Sequence, residues 1–246
     1  MKSKANTLQY HLMLLPCLLL LCVFSLYPLM GSVLAFKTFK GSKGIWGSPW
    51  AGFENFQLLF SAPKFYQILF NTVYLSVMKI LFGLMVPLVF ALLLNEVQKR
   101  WYRNVIQTTV FLPYFLSWVI LAGIFKDIFS TSGLVNRLMG LAFGTQPVMF
   151  FADNRAFPSI LIFSDTWKNY GFNVIIFLAA LTSIDPTQYE AARIDGASRW
   201  KQLLYVTLPS LLPTIILLAA LSMQNVLNAG FDQILNMYNP LVYQSA

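Results

Sequence analysis

Charged residues are scarce in this chain of 246 residues. Only 11% of its residues are Asp, Glu, Lys or Arg, whereas an ordinary soluble domain carries about 25%. Apolar residues make up 57%, and the mean hydropathy is positive. This composition excludes a typical soluble domain. It predicts one domain built of membrane spans, with lipid as the main solvent.

Acidic residues are the scarcer of the two charge types. The chain has 9 acidic and 17 basic residues, for a formal net charge of +8. A basic balance can indicate a nucleic-acid partner, but these basic residues lie in short segments between apolar runs, and we find no nucleic-acid-binding motif. We therefore predict contact with anionic lipid headgroups and no nucleic-acid partner.

Cysteine and histidine are nearly missing, with 2 Cys and 1 His. Cys17 and Cys22 fall inside the first apolar run, which indicates small buried hydrophobic side chains rather than a disulfide or a metal site. His11 begins that run and has no partners for a metal site or a Ser/His/Asp constellation. A Gly-x-x-x-x-Gly-Lys-Ser/Thr phosphate loop is also absent. These absences predict that the chain is not an enzyme, binds no metal and uses no cofactor of its own.

Long apolar runs, by contrast, are plentiful. A helix needs about 20 apolar residues to cross the roughly 30 Å hydrocarbon layer. Five runs are candidates: His11 to Ala35, Ile68 to Leu94, Val105 to Phe125, Pro158 to Leu181 and Leu211 to Leu227. The first run follows Lys2 and Lys4 but precedes no small-residue cleavage site, so we interpret it as an uncleaved anchor. The pattern predicts an all-α, polytopic transmembrane helical bundle with about five spans.

The segments between these runs suggest how the chain is organised. Residues 36–67 carry Trp46, Trp50 and several phenylalanines among glycines and lysines, which is typical of a membrane interface. We therefore divide the chain into residues 1–66, with the first span and an extracytoplasmic aromatic-rich segment, and residues 67–246, the main transmembrane domain. Basic residues are denser on the side that holds the N-terminus, which favours a cytoplasmic N-terminus.

The polar segment at 183–208 predicts two short helices, and we call it the bracket. Asp185 is suited to cap the first helix, Pro186 suits its first position, and Gln188 follows at the spacing of a capping box. Gly196 then ends that helix, because glycine readily adopts the left-handed conformation found at helix ends.

The second helix of the bracket is expected from Ala197 to Thr207. It should stop where Leu208 precedes Pro209, because the residue before a proline disfavours helical geometry. The bracket contains Ala191, Ala192 and Ala197, which are small enough for another helix or protein to approach closely.

The bracket resembles the EAA loop of permease subunits of ATP-binding-cassette (ABC) importers. The matching residues are Glu190-Ala191-Ala192, Asp195-Gly196-Ala197 and Leu208-Pro209. Shorter stretches are similar to the sugar-permease branch, and the resemblance runs from about Gly52 onward. They are Phe53-Glu54-Asn55-Phe56, Asn71-Thr72, Leu112-Pro113-Tyr114 and Asn228-Ala229-Gly230-Phe231-Asp232.

This resemblance implies a fold of the type I ABC importer permease kind, in the inner (cytoplasmic) membrane of a bacterium. It implies half of a translocation pathway for a carbohydrate, most closely an oligosaccharide, delivered by an extracytoplasmic solute-binding protein. A second permease subunit and two ATPase subunits, which use ATP and Mg, are the further partners implied. The residues implied to couple to an ATPase are Glu190, Ala191, Ala192, Asp195, Gly196, Ala197, Leu208 and Pro209. The family has one more span after this loop, so a sixth span is expected to be missing at the C-terminus.

Other interpretations of the same residues remain open. The bracket could be an amphipathic connector on the membrane surface, with the Glu190 carboxylate merely solvated. The whole chain could be a stand-alone secondary transporter or channel, although such a protein has no need of an ATPase-docking loop. A membrane-embedded enzyme is a third class, but the sequence offers it only the carboxylate of Asp165.

Ionisable residues inside spans need an explanation, since each costs about 2.5 to 3.5 kcal/mol at the centre of a membrane helix. Lys79 lies near the middle of the second span, and Asp165 and Lys168 lie in the fourth. Asp165 and Lys168 are three residues apart on one helix face, so one interpretation is an internal ion pair.

The other interpretation is a carbohydrate site. The run from Asp165 to Asn173 combines aromatic rings, amides and charges, which suit the C–H faces and hydroxyls of sugars, and Gly171 would allow a close approach. The predicted substrate-lining residues are Lys79, Asp165, Trp167, Lys168, Asn169, Tyr170 and Asn173. Lys79 and Lys168 could favour acidic oligosaccharides. Residues 225–233 could form a gate or substrate contact, but a helix end at the headgroups explains them equally well.

Overall fold

The computed structural model describes residues 4–242, and their side chains from residue 10 onward. Lys2, which precedes the first apolar run, lies outside this range. The chain divides into two compact units, residues 1–66 and residues 67–246. Each unit is described by itself.

The first unit contains one candidate membrane span, Tyr10–Phe36. Helix α1 (Lys4–Leu21) forms the first part of this span. A π-helical turn follows α1, and the span ends in a 3-10 stretch. An aromatic segment with helix α2 (Glu54–Ser61) follows. Asn55 donates from Nδ2 to the carbonyls of Ala35 and Lys37, at 3.0 and 3.1 Å. The aromatic segment therefore folds back onto the end of the span.

The second unit is built of helices. They are α3 (Phe65–Asn95, which begins two residues before the unit boundary), α4 (Arg100–Phe111), α5 (Trp118–Ile128), α6 (Leu134–Phe143), α7 (Ala156–Thr182), α8 (Pro186–Ile194), α9 (Arg199–Met223) and α10 (Phe231–Met237). Three helices of the described chain are long and apolar enough to cross a membrane, or up to five segments if each of two bent pairs forms one span. The predicted all-α membrane fold is confirmed, and α3 and α7 cover the predicted second and fourth spans.

The predicted third span is wrong as a single helix. Helices α4 and α5 meet at an angle of 103°, so the run from Val105 to Phe125 turns sharply. A 3-10 turn containing Pro113 ends α4, and Leu116 is extended. Ser117 then begins α5, because its Oγ accepts a hydrogen bond from the Ile120 N–H at 3.4 Å.

The predicted end of the second bracket helix is also wrong. Instead of stopping at Leu208, the helix continues as α9 to Met223, after a π-helical turn at Leu203–Thr207. Pro209 has no N–H to donate to the carbonyl four residues earlier, and its ring would clash with that carbonyl. The wider turn, in which the Leu208 N–H donates to the Leu203 carbonyl, opens the helix just before this proline.

Two apolar clusters hold the second unit together. The distal cluster is far from the bracket and joins α3, α5, α7 and α10. Its buried residues are Leu75, Leu121, Ala122, Phe125, Phe157, Ile160, Leu161, Met237 and Val242. The proximal cluster, nearer the bracket, joins α3, α7 and α9. Its buried residues are Ala91, Leu94, Val174, Phe177, Leu178, Leu181, Leu211 and Leu218. Along both α3 and α7, polar residues lie between the two clusters.

Gly171 is the point where α7 lies closest to another backbone. A Cβ atom built at this position would overlap the carbonyl oxygen of Val110 and lie 2.9 Å from the Cα of Phe111. The expected close approach at Gly171 is therefore a backbone contact with α4. It fixes the first half of the bent pair against α7.

We expect Gly171→Ala to destabilise the protein by about 1–3 kcal/mol, because the added methyl group must push two helix backbones apart. Gly123→Ala is the matched control, since a Cβ at this helical glycine would meet nothing within 4 Å. Thermal unfolding of the purified protein in detergent would measure both. Equal melting temperatures for the two variants would contradict the close contact.

Candidate functional site

A polar cavity of about 360 Å³ lies between the two apolar clusters. Its walls are α3, α7 and the irregular segment Gln224–Gly230, which separates α9 from α10. The lining residues are Ser76, Lys79, Ile80, Gly83, Tyr114, Asp165, Asn169, Phe172, Asn173, Ser222, Asn225, Val226, Asn228, Ala229 and Gly230. Hydroxyls, amides and two opposite charges therefore share one cavity with aromatic rings.

Helix α7 contributes three polar side chains to this cavity at intervals of four residues. The Asn169 amide donates to Asp165 Oδ1 at 3.2 Å, and the Asn173 amide donates to the Gly83 carbonyl at 3.0 Å. These bonds orient the groups and leave the second Asp165 oxygen and the amide oxygens available as acceptors. Beside them, the rings of Tyr114 and Phe172 stack at 4.9 Å with an interplanar angle of 13°. The wall thus combines hydrogen-bonding groups with a flat aromatic surface.

Lys79 reaches the irregular segment from α3. Its Nζ donates to the Ala229 carbonyl at 2.7 Å and to Oε1 of Gln233. Gln233 is fully buried, and its Nε2 donates to the Leu161 carbonyl and to Ser164 Oγ, both at 2.7 Å. One chain of hydrogen bonds therefore connects α3, α10 and α7.

Only four of the seven predicted lining residues, Lys79, Asp165, Asn169 and Asn173, line this cavity. Trp167 and Tyr170 line a separate, mostly apolar groove between α3 and α7. The separation follows from helical geometry. Trp167 and Tyr170, two and five positions after Asp165, lie on a different face of α7 from Asn169 and Asn173, which are four and eight positions after it.

Lys168 lines neither space, and its nitrogen hydrogen-bonds the Tyr114 carbonyl rather than forming the close ion pair with Asp165 that one interpretation offered. Its Nζ donates to the Tyr114 carbonyl at 2.7 Å and lies 5.3 and 5.7 Å from the ring centroids of Tyr114 and Trp118. The side chain therefore supplies a donor at the turn between α4 and α5, where the helical backbone ends at Phe115 and the Tyr114 carbonyl has no helical partner.

Several lining residues were missed from the sequence. Ser76 and Gly83 lie three before and four after Lys79, so the helical period of α3 could have placed them on the same face. Tyr114 could not be found this way, because its position depends on the sharp bend after α4. The sequence left open whether residues 225–233 form a gate, a substrate contact or a helix end. In the structure, Asn225 and Asn228 of this segment line the cavity.

The bracket is formed by α8, the turn after it and the start of α9. Asp185 caps α8, as the sequence predicts. Its carboxylate accepts a hydrogen bond from the Thr187 N–H at 2.9 Å, so the bonded residue is Thr187 rather than Gln188. Hydrogen bonds from Thr187, chiefly from its backbone N–H, hold the pKa of Asp185 below its ordinary value. The start of α8 is therefore fixed by a charged cap.

The end of α8 is a Schellman turn. Gly196 has a φ of 76°, its N–H donates to the Arg193 carbonyl at 3.0 Å, and the Ala197 N–H donates to the Ala192 carbonyl at 2.8 Å. The Tyr189 hydroxyl then hydrogen-bonds Thr207 Oγ1 at 3.0 Å. This last bond ties α8 to the π-helical turn of α9.

The outer surface of the bracket is exposed. Glu190 and Ala191 are exposed, and Ile194 is an apolar side chain with 87% of its surface accessible. On the other side, Arg199 Nη1 lies 3.0 Å from Glu96 Oε2, which follows the end of α3. The bracket therefore lies at the ends of α3 and α7, whose middle sections form the cavity. Glu190 and Ile194 face away from these helices. Ala192, Ala197 and Leu208 are only partly exposed, and Asp195, Gly196 and Pro209 are exposed.

Known proteins resemble the chain over nearly its whole length. It is 39% identical to Protein LplB of Bacillus subtilis over 94% of this chain and 73% of that protein. It is 35% identical to the polygalacturonan/rhamnogalacturonan transport system permease protein YteP of Bacillus subtilis, over 93% of this chain and 71% of the relative.

A solved structure supports the same relationship. A chain of a bacterial ABC transporter involved in the import of the acidic polysaccharide alginate superposes with a TM-score of 0.87 and 37% identity, covering 98% of this chain and 81% of that chain. The sequence model of one family matches residues 79–231, which include Lys79, Ile80 and Gly83 of the cavity wall, all of α7 and the bracket. The chain belongs to this family, the inner membrane components of binding-protein-dependent transport systems.

Proposed function

We propose that this chain is the permease subunit of an ABC importer and forms half of a translocation pathway for an oligosaccharide. The observation that carries the proposal is that α3, α7 and α9 connect an exposed docking bracket to a polar cavity. Motion of the bracket would therefore move two walls of the cavity directly.

The depth of the cavity supports this role. At 1.5 Å per residue, Lys79 lies about 24 Å from the end of α3 at Asn95, and Asn173 lies about 14 Å from the end of α7 at Thr182. Since the hydrocarbon layer is roughly 30 Å thick, these distances place the cavity within the layer, from its middle towards the side opposite the bracket. Polar groups inside the hydrocarbon layer suit a pathway for a hydrophilic solute.

The chemistry of the cavity supports a sugar as that solute. Amides and a carboxylate would exchange hydrogen bonds with hydroxyls, and the stacked Tyr114 and Phe172 rings offer a face for sugar C–H groups. The related proteins point the same way, since they include permeases for polygalacturonan and for lactose, and a transporter that imports alginate. We propose Asp165, Asn169 and Asn173 as the substrate-lining residues.

The proposed partners follow from the bracket and the relatives. Glu190 and its neighbours in the bracket would dock on an ATPase subunit, two of which would use ATP and Mg. A second permease subunit would complete the pathway. An extracytoplasmic binding protein would deliver the sugar, and a related alginate transporter was solved with a periplasmic protein carrying an alginate pentasaccharide.

We also propose that the N-terminus is cytoplasmic. The bracket would lie in the cytoplasm with the ATPase, and α3 ends beside it, as the contact between Glu96 and Arg199 indicates. Helix α3 would then begin on the outer side, and no candidate span lies between Phe36 and Phe65. The first span, Tyr10–Phe36, would therefore run outward from a cytoplasmic N-terminus.

A stand-alone transporter or channel is the alternative function. It would explain the cavity equally well but gives no role to an exposed apolar residue and a free carboxylate on the bracket. Copurification of the chain from its native membranes separates the two functions. A complex with a second permease and two ATPase subunits supports the importer, and an active protein that functions without them supports the alternative.

Charge reversal on the bracket tests the docking role. We expect Glu190→Arg to lower substrate-stimulated ATP hydrolysis by about tenfold in the assembled complex, because a charge-assisted contact with a basic group of the ATPase is lost. Asp127→Arg is the matched control, since Asp127 is also an exposed carboxylate but lies outside the bracket. Unchanged hydrolysis and unchanged ATPase retention in Glu190→Arg would remove the bracket from the docking interface.

Substitutions on the two faces of α7 test the lining role. We expect Asn169→Ala to slow sugar uptake into proteoliposomes by about tenfold at saturating binding protein, because a hydrogen-bonding group that lines the pathway is removed. Tyr170→Phe, in the groove on the other face of α7, should transport at the normal rate. If the two variants behave in the opposite way, the sugar passes along the other groove.

A further inference from the structure

The irregular segment Gln224–Gly230 poses a physical problem that the proposed transport function does not explain. Helix α9 ends at Met223 and α10 begins at Phe231, so the backbone between them lacks regular helical hydrogen bonds. In a membrane, non-helical backbone is tolerated only where protein or water satisfies its polar groups. Something must therefore hold this segment in place against the cavity.

Two side chains of α3 do so. Ser76 donates from Oγ to the Val226 carbonyl at 2.5 Å, and Lys79 donates from Nζ to the Ala229 carbonyl at 2.7 Å. The two donors are three residues apart on α3, and so are the two acceptors on the segment. The two bonds thus attach the segment to a single turn of α3.

From this arrangement we propose that Lys79 is a positioning residue that holds the segment Gln224–Gly230 against α3 and α7. We call this contact the latch. In this role Lys79 does not select acidic sugars. This inference rests on the proposed transport function, because it assigns a role to one wall of the same cavity. It also replaces the earlier suggestion that the Lys79 charge attracts an acidic oligosaccharide.

The buried amide of Gln233 extends the latch to α7. Its oxygen accepts from Lys79, and its nitrogen donates to the Leu161 carbonyl and to Ser164 Oγ. Gln233 has no exposed surface, so water cannot replace a lost partner. Removal of the Lys79 ammonium would therefore leave both the Gln233 oxygen and the Ala229 carbonyl without their donor.

The backbone of the segment indicates that the closed form is imposed by these contacts. Ala229 has a φ of 46°, and among the described residues no other non-glycine residue has a positive φ. This left-handed conformation is unfavourable for alanine, so it persists only while surrounding contacts hold it. Gly230 follows with a φ of 78°, and a Cβ there would lie 2.8 Å from Lys79 Nζ.

The ammonium group of Lys79 is already used within the protein. Asp165 lines the same cavity. Two of the three ammonium hydrogens are donated to the Ala229 carbonyl and Gln233. An acidic sugar would therefore meet a carboxylate next to an occupied ammonium group, which is a poor site for charge selection.

Hydrogen exchange of the assembled transporter tests the latch. Amides of the segment are protected by local bonds, such as Val226 N–H to the Met223 carbonyl and Ala229 N–H to the Asn225 carbonyl. In Lys79→Met we expect exchange of the peptide covering residues 224–234 to become about tenfold faster, because a charge-assisted anchor is lost and the segment opens more often. Peptides from the middle of α7 should exchange at the normal rate.

Two further variants make the test specific. Gly230→Ala keeps the lysine in the sequence and should also speed exchange, because the new methyl group displaces the Lys79 ammonium and alanine is strained at a φ of 78°. Lys168→Met is the matched control, since this lysine also donates to a carbonyl across a helix break but contacts Tyr114 instead of the segment. It should leave exchange at residues 224–234 unchanged.

Uptake measurements separate the latch from a role in charge selection. The ratio of uptake for an acidic and a neutral oligosaccharide should be the same in Lys79→Met and the unmodified protein. A changed ratio with normal exchange at 224–234 would overturn the latch and make Lys79 a substrate contact. Unchanged exchange in both Lys79→Met and Gly230→Ala would also overturn the latch. If the complex in that case still assembles and imports sugar, the proposed transport function stands without the latch.

Discussion

Hydrocarbon offers no hydrogen bonds to polar groups, and the central architecture of this protein follows from that constraint. At two places where the backbone of the second unit leaves helical geometry, side chains from a neighbouring helix supply hydrogen-bond partners. Ser76 and Lys79 donate to the segment between α9 and α10, and Lys168 donates to the turn between α4 and α5. The two intramembrane lysines thus stabilise breaks in the helices, and one of those breaks forms a wall of the cavity.

The distribution of apolar contacts explains how such a cavity persists in a packed bundle. The distal and proximal clusters hold α3 and α7 together above and below it, and neither cluster includes the polar residues between them. Because both clusters contain residues of α3 and α7, these helices behave as rods fixed at two levels. A displacement at the bracket would then pass along them to the cavity walls rather than dissipate in loops.

The bracket shows how far local rules extend. The cap at Asp185, the left-handed glycine at 196 and the extent of α8 follow from residues that are neighbours in sequence, and all three were predicted correctly. The end of the second bracket helix was not, because a π-helical turn relieved the proline clash that was expected to stop it. A similar π-helical turn, Cys22–Leu26, precedes Pro28 in the first unit, so this feature is a recurring solution in the chain. A rule based on α-helical geometry alone could not anticipate it.

The sequence by itself determined the membrane class, the two long helices α3 and α7, and the bracket with its family resemblance, because apolar run length and helix-end chemistry are local properties. It also placed Lys79, Asp165, Asn169 and Asn173 among the candidate cavity residues. Only the tertiary structure decided that Trp167, Lys168 and Tyr170 lie elsewhere, that α4 and α5 meet at 103°, and that residues 224–230 close the cavity. These features depend on contacts between residues up to about 150 positions apart in sequence, such as Lys79 with Ala229. A pattern along the chain does not record which distant helix will satisfy a buried polar group, and packing in three dimensions settles that choice.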